Sequence, residues 1–210
     1  MELIYGTGNA AKVKAMRNRL SALGIKVIGY RELGLELPSV QEDGRTPLEN
    51  ARKKAFRYYE ELGIPVFSCD SGLYIDELPD ELQPGVHVRT VSGRYLTDEE
   101  MQAYYSGLAE KYGRLTARYR NAICLVWSDG TVYEKMDDSL ASEEFWMITR
   151  KHPKMNPGFP LDSLSVNPKT GRYYYDEEER RLDQVAVEDG FLTFFSEVLR
   201  ARNLETELSE

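Results

Sequence analysis

The first dozen residues constrain the chain most. A β-prone run, Leu3-Ile4-Tyr5, passes through Gly6-Thr7-Gly8-Asn9 straight into a helical pattern. Gly6 and Gly8 are expected to allow a tight turn, because glycine reaches backbone angles that a Cβ forbids. Val13, Met16, Leu20 and Leu23 then recur on one helical stripe. Asn9 stands where an N-cap belongs and would accept from the orphan N–H groups of the first turn. Strand, glycine turn and capped helix together bring free N–H groups and the positive helix end to one place, a seat for phosphate. Lys12 and Lys14 add cationic charge beside it. The same pattern also serves ordinary βα connections, and it is neither a Walker A loop nor G-x-G-x-x-G.

Downstream, Gly24 reads as a C-cap and Lys26 to Tyr30 as a second strand. Arg31 to Gly44 reads as an extended loop. Thr46-Pro47-Leu48-Glu49 predicts a sharp helix start, with Thr46 as cap, Pro47 at the first helical position and Glu49 completing a capping box. That helix should stop at Gly63. Val66 to Cys69 predicts a buried strand that ends at an Asp70-Ser71-Gly72 turn, with Leu73 to Ile75 as a separate strand. Glu77 to Gly93 reads as a long loop, and Thr97-Asp98-Glu99-Glu100 as a second capping box. Antiparallel signals follow: a strand over Arg118 to Trp127, a hairpin turn at Ser128-Asp129-Gly130, a short strand from Thr131, and another over Glu144 to Thr149. The proline-rich stretch from Pro153 to Pro160 reads as a loop, Asp176 to Arg181 as a solvated helix face, and Phe191 to Leu199 as a C-terminal helix.

These elements predict an α/β fold: a central twisted mixed sheet with flanking helices and a second antiparallel lobe, with a cleft between them, in a single domain of 210 residues. Hydrophobic residues make up 41% of the chain, enough for an ordinary core, and no apolar run is long enough for a membrane span. A net charge of −8 argues against binding nucleic-acid polymers, which requires a basic footprint. Cys69 and Cys124 are the only cysteines, as expected for free thiols in a reducing, cytoplasmic setting. His87 and His152 form no metal motif.

Carboxylates at strand ends and in loops are the natural ligands for Mg²⁺, a hard cation that prefers oxygen. Asp70 follows a buried strand, and Glu42 precedes a helix carrying Lys53 and Lys54. Taken singly, Asp70 is equally a turn-former and Glu42 a solvated loop acid. In combination they resemble a known family. The opening Thr7-Gly8-Asn9-x-x-Lys12, the block Glu42-x-Gly-x-Thr-x-x-Glu-Asn-Ala-x-x-Lys54-Ala, and Asp70-Ser71-Gly72-Leu73 are similar to successive motifs of the Ham1-like inosine/xanthosine triphosphate pyrophosphatases. Pro84-Gly85 with Ser92-Gly93, and Gly158-Phe159-x-x-Asp162, resemble two later blocks, although the arginine-aromatic pair before Ser92 is out of register at Arg89-Thr90-Val91. The Maf-type pyrophosphatases would not explain the first two blocks.

The resemblance implies a Mg²⁺-dependent hydrolase acting on a nucleoside triphosphate, with Glu42 and Asp70 as metal ligands. It implies that Asp70 activates water, that Lys12 and Lys54 contact phosphates, and that Thr7, Gly8, Asn9 and Ser71 line the substrate. Phe159 would stack on the base, Asp162 would contact it, and the chain would form a homodimer. Two departures stand against it. Cys69 replaces the first acid of the family's Asp-Asp-Ser-Gly, and a thiol is a poor Mg²⁺ ligand. The family's C-terminal Ser-His-Arg has no counterpart: Val187-Glu188-Asp189-Gly190 stand in its place, so an altered base preference is expected. A non-catalytic nucleotide- or partner-binding protein on the same fold is the alternative, and Cys69 as a nucleophile is a third reading.

Overall fold

A computed structural model describes residues 1–34, 38–177 and 188–207. In chain order the elements are β1 (Glu2–Tyr5), α1 (Ala10–Leu20), β2 (Lys26–Gly29), α2 (Pro47–Leu62), β3 (Val66–Ile75), β4 (Thr90–Val91), β5 (Arg94–Tyr95), α3 (Asp98–Tyr112), β6 (Leu115–Val126), β7 (Val132–Lys135), β8 (Phe145–Met147), β9 (Ser165–Val166) and α4 (Glu188–Glu207). The chain divides into two units: Met1–Ser71 with Asn121–Leu140 and Glu188–Glu210, and Gly72–Arg120 with Ala141–Val187. The long strands β3 and β6 pass through both. The result is the expected α/β architecture, a mixed sheet with flanking helices and a small antiparallel sheet.

In the first unit the strands run β2-β1-β3-β6-β7. β1 pairs parallel with both neighbours, Ile4 opposite Ile28 and Val66, while β6 and β7 form an antiparallel hairpin. Alternation along β1 and β3 sends side chains to opposite faces. Leu3, Tyr5 and Phe67 meet Val13, Leu20, Phe191 and Phe195 on one face, while Ile4 and Val66 meet Tyr58 on the other. Each fully buried Leu or Phe contributes about 1.5–3 kcal/mol. α2 starts as its sequence dictates: Thr46 Oγ1 accepts from the Glu49 N–H, Pro47 holds the first turn, and Gly63 ends the helix at φ 62°. Glu49 departs from the expected box, because its carboxylate takes the Arg45 N–H (2.7 Å) instead of the cap residue's own.

In the second unit the order is β3-β6-β8-β9, with β4 and β5 as a separate two-stranded sheet. The expected long loop over Glu77 to Gly93 therefore contains half a hairpin, turned by Ser92 (φ 49°) and Gly93 (φ 76°), where two left-handed residues match the twist of the paired strands. Thr97 and Glu100 form the full reciprocal capping box at the start of α3. Met101, Tyr105 and Leu108 on this helix pack with Leu73, Ile75, Leu115, Phe145 and Met147.

The expected break in β3 is absent: Val66–Ile75 is one strand. Gly72 makes no turn and has no positive φ. Its missing Cβ instead lets the Gly85 backbone approach, since a Cβ there would sit 3.1 Å from the Gly85 carbonyl carbon, and Leu73 and Gly85 exchange hydrogen bonds of 2.8 and 2.9 Å. The loop expected over Arg31 to Gly44 opens with a 3₁₀ turn, Tyr30–Leu33. Asp176 closes another, Tyr174–Asp176, and the rest of the helix face expected to Arg181 falls outside the described residues apart from Glu177. The C-terminal helix is present as α4. Among the described residues no helix is long and apolar enough to cross a membrane.

Candidate active site

β1 ends at Tyr5, opposite Phe67, so Ser68, Cys69 and Asp70 continue beyond it alongside the Gly6–Asn9 turn. Gly6 N–H donates to the Phe67 carbonyl (2.8 Å), and Ser68 Oγ donates to the Gly6 carbonyl (2.6 Å). Neither Gly6 nor Gly8 has a positive φ, which corrects the expectation of a turn that only glycine can make. Space is the reason at Gly6. A Cβ on Gly6 would lie 2.5 Å from the Tyr58 ring, and one on Gly8 would lie 3.0 Å from the Arg31 guanidinium. Asn9 caps α1 as expected, its Oδ1 accepting from the Lys12 N–H (3.2 Å), and Thr7 Oγ1 accepts from the Asn9 N–H (3.3 Å). The Lys12 side chain is exposed beside this turn.

The two lysines of α2 part company. Lys53 pairs with Asp43 at the surface, whereas Lys54, only 8% exposed, places its Nζ 2.8 Å from Glu42 Oε2 and 3.3 Å from Asp70 Oδ1. One turn earlier on the same helix face stands Asn50, 2% exposed. Its Nδ2 donates to Asp70 Oδ2 (2.9 Å), and its Oδ1 accepts from the Gly44 N–H (2.8 Å). A closed ring results: Glu42, Lys54, Asp70, Asn50, and Gly44 back to Glu42 through the backbone. Both carboxylates are oriented by donors from one rigid helix, and each Asp70 oxygen receives one of them.

Alternation along β3 sends Asp70 towards α2 and Cys69 to the opposite face, with Phe67 and Tyr5. Burial pushes the Cys69 thiol up to about 11, although the Tyr5 hydroxyl and the charges of Lys12 and Lys54 pull it back. Burial thus disfavours the thiolate, the form that acts as nucleophile or metal ligand. Ser71 donates its hydroxyl to Asn121 Oδ1 (2.7 Å), and Asn121 Nδ2 is in turn fixed on the Leu140 carbonyl (2.7 Å).

Phe159 and Asp162 belong to the second unit. Phe159 is 54% exposed and leads into the 3₁₀ turn Pro160–Leu164, on which Asp162 is half-buried. Burial first, and the charge of Asp162 second, hold the Tyr119 phenol above its ordinary value.

The donor set of the first unit suits a hard divalent cation, since Glu42 and Asp70 offer oxygens on either side of the Lys54 ammonium. Among the described residues no three His, Cys, Asp or Glu side chains converge. Two carboxylates completed by substrate phosphates is a common way to hold Mg²⁺.

Sequence reasoning passed over three residues here: Asn50, Asn121 and Arg31. The i, i+4 spacing to Lys54 could have found Asn50. Arg31 follows β2, which lies parallel beside β1, and side chains just past the ends of adjacent parallel strands gather at one edge. Nothing local pointed to Asn121.

A sequence model of the Ham1 family matches residues 3–163, three-quarters of the chain. This chain belongs to the Ham1 family. A dITP/XTP pyrophosphatase of Thermus thermophilus is 30% identical over 189 residues, covering 86% of this chain and 84% of its own. Another, from Brucella melitensis, is 36% identical over 182 residues, covering 82% and 78%. Among solved structures, a HAM1 protein from Coxiella burnetii superimposes with a TM-score of 0.74 at 24% identity, covering 96% of this chain and 99% of that one, so the two share the fold. Relative to the Ham1 blocks quoted above, Cys69 remains the departure nearest the paired carboxylates. The Glu188-Asp189 pair begins α4, with side chains outside the described set.

Proposed function

We propose that this chain is a nucleoside triphosphate diphosphatase that converts a nucleoside or deoxynucleoside triphosphate to the monophosphate and pyrophosphate. The observation that carries the reading is the Lys54 ammonium held between Glu42 and Asp70 beside the Gly6–Asn9 turn. The dITP/XTP pyrophosphatase names of its relatives support it. Thr7, Gly8, Asn9 and Ser71 line the substrate in this reading, and Lys12 and Lys54 neutralise the charge that develops on the phosphates. Water attacks the α-phosphorus, the bond to the oxygen bridging the α- and β-phosphorus breaks, and pyrophosphate leaves with that oxygen. Each Asp70 oxygen keeps a lone pair beyond its α2 donor, so the carboxylate is placed to orient that water or to serve as a ligand. Mg²⁺ held by Glu42 and Asp70 would supply polarisation of the phosphoryl oxygens. Phe159 and Asp162 serve the base. The homodimer rests on the resemblance alone, and the cytoplasmic setting on the two free cysteines.

The base preference departs from that of inosine and xanthosine triphosphate hydrolases, because the Ser-His-Arg donors are missing and Glu188 and Asp189 would favour an exocyclic amine. Incubation with adenosine, guanosine, inosine and xanthosine triphosphates, with and without chelator, tests the whole reading. Metal-dependent release of pyrophosphate is expected, with kcat/KM highest for an amino-bearing base. Orthophosphate as the product, or full turnover in excess chelator, would overturn the chemistry. A preference of about a hundredfold for inosine or xanthosine triphosphate would overturn the base assignment alone. Nucleotide binding without turnover would favour the non-catalytic reading, for which Cys69 in place of the family's first acid and the missing Ser-His-Arg speak.

Cys69→Asp puts the family's acid back at this position, on the β3 face opposite Asp70 but within the field of Lys12 and Lys54. The added negative charge beside the site should lower the Mg²⁺ concentration for half-maximal rate severalfold without any direct ligand contact. The cost is a carboxylate set into a desolvated position, read as a lower melting temperature. An unchanged Mg²⁺ requirement in a folded variant would show that the pocket is built around the thiol.

A further inference from the structure

Arg89, the arginine standing out of register in the family block, has a defined task within the second unit. Its Nη1 donates to Asp98 Oδ1 (2.6 Å) and to the Leu96 carbonyl (3.3 Å), and its Nη2 donates to the Gly158 carbonyl (3.2 Å). The other oxygen of Asp98 accepts the Gly158 N–H (2.8 Å). One ion pair thus grips both backbone polar groups of a single residue. Asp98 is anchored as the first residue of α3 behind the Thr97 capping box, and Arg89 by its main-chain carbonyl, which accepts the Leu96 N–H (2.8 Å). The Gly158 N–H and then Arg89 hold the Asp98 carboxyl below its ordinary range, so the pair is charged at neutral pH.

Gly158 adopts φ 85°, a conformation that side-chain-bearing residues avoid. The next residue, Phe159, donates its N–H to the Asn156 carbonyl (2.9 Å) and accepts the Asp162 N–H on its own carbonyl (3.3 Å), while the residue is 54% exposed. Pro160 and Leu161 are buried immediately after it. The backbone on both sides of the Phe159 side chain is thus held. The pair is half-buried, its side chains 23% and 19% exposed. A stacking platform whose direction is already set loses less freedom on binding.

We propose that Arg89 and Asp98 are positioning residues for nucleotide binding, clamping the Gly158 peptide so that the Phe159 ring is held ready to stack on the base. This rests on the reading of Phe159 as the base-stacking residue. Steady-state kinetics of Phe159→Ala, Asp98→Ala and the double variant, on the best triphosphate of the panel, test it. Phe159→Ala should raise KM about tenfold, in the range that base–aromatic stacking commands. Asp98→Ala should raise KM about three- to tenfold with kcat within twofold, and the double variant should match Phe159→Ala, because two changes acting through one ring do not add. If Asp98→Ala fails to fold, Arg89→Lys takes its place, since one ammonium cannot serve both Asp98 and the Gly158 carbonyl in a planar fork. A purely structural pair would lower the melting temperature and leave KM unmoved, which would overturn the proposal. So would effects that multiply in the double variant. An unchanged KM in Phe159→Ala overturns the stacking assignment and the clamp with it, whereas a raised KM there with a normal one in the clamp variant sinks the clamp alone.

Discussion

Asp70→Asn leaves a folded protein whose turnover falls about 10²-fold or more, the scale for losing a positioned base or a ligand carboxylate. The amide keeps the shape of the side chain, and its oxygen can still accept from Lys54, 3.3 Å away in the wild-type chain. Its NH₂ group then faces the Nδ2 of Asn50, which now donates across 2.9 Å. Two donors cannot bond each other. Turning the Asn50 amide over would mend that contact, but it would set the NH₂ of Asn50 against the Gly44 N–H that its oxygen now accepts. One donor in the ring is therefore left unpaired, at a cost of about 1–3 kcal/mol. The expected result is a lower but still cooperative melt together with a loss of rate far larger than the unfolded fraction explains. Loss of rate in step with unfolding would make Asp70 structural, and normal turnover would show the site to be misassigned.

Lys54→Met should lower kcat/KM about 10²- to 10³-fold, the usual consequence of removing one donor aimed at developing negative charge. Methionine keeps the unbranched length of the buried stem, so the packing of α2 is largely preserved. What disappears is the ammonium shared by Glu42 and Asp70. Glu42 is half exposed and turns to water cheaply, while the side chain of Asp70 is only 13% exposed and keeps Asn50 alone. A second measurement separates this account from simple damage. Titration of the nucleotide-free protein with Mg²⁺ by calorimetry should show tighter binding in Lys54→Met than in the wild type, because the two carboxylates no longer share a resident cation. A variant within tenfold of wild-type kcat/KM would remove Lys54 from the phosphate site. A variant that is slow and binds Mg²⁺ no better would show that Glu42 and Asp70 do not hold the ion.

Much of this site is written in local chemistry. Thr46, Pro47 and Gly63 bound α2 by capping and backbone preference, which act within a few residues. That is why a helix carrying Lys54 was legible, and the four-residue spacing put Asn50 within reach of the same reading. Asn9 capped α1 for the same reason. Local chemistry misled where a glycine was read as a turn. Gly6 and Gly72 look alike in sequence to residues that need positive φ, yet each is small because something distant in the chain comes close: Tyr58 and the Gly85 backbone. The same limit hid the partner of Ser71, since Asn121 lies fifty positions away on another strand.

By itself the sequence determined the βα opening, the helix boundaries, the α/β class and the set of charged residues available for phosphate chemistry, because period, caps and residue type operate over one or two turns. Only the tertiary structure decided that β3 runs unbroken through Asp70-Ser71-Gly72, since β3 is continued by pairing with backbone remote in sequence. That continuity put Asp70 on the α2 face and Cys69 on the other. It closed the ring of Glu42, Lys54, Asp70 and Asn50 across segments that no local signal connects. In the other unit it likewise gave Arg89 and Asp98 the Gly158 peptide to hold, 69 and 60 residues further along the chain. Hydrogen bonds of this kind depend on where the chain returns, and that is set by burial of the whole core and by no single stretch of it.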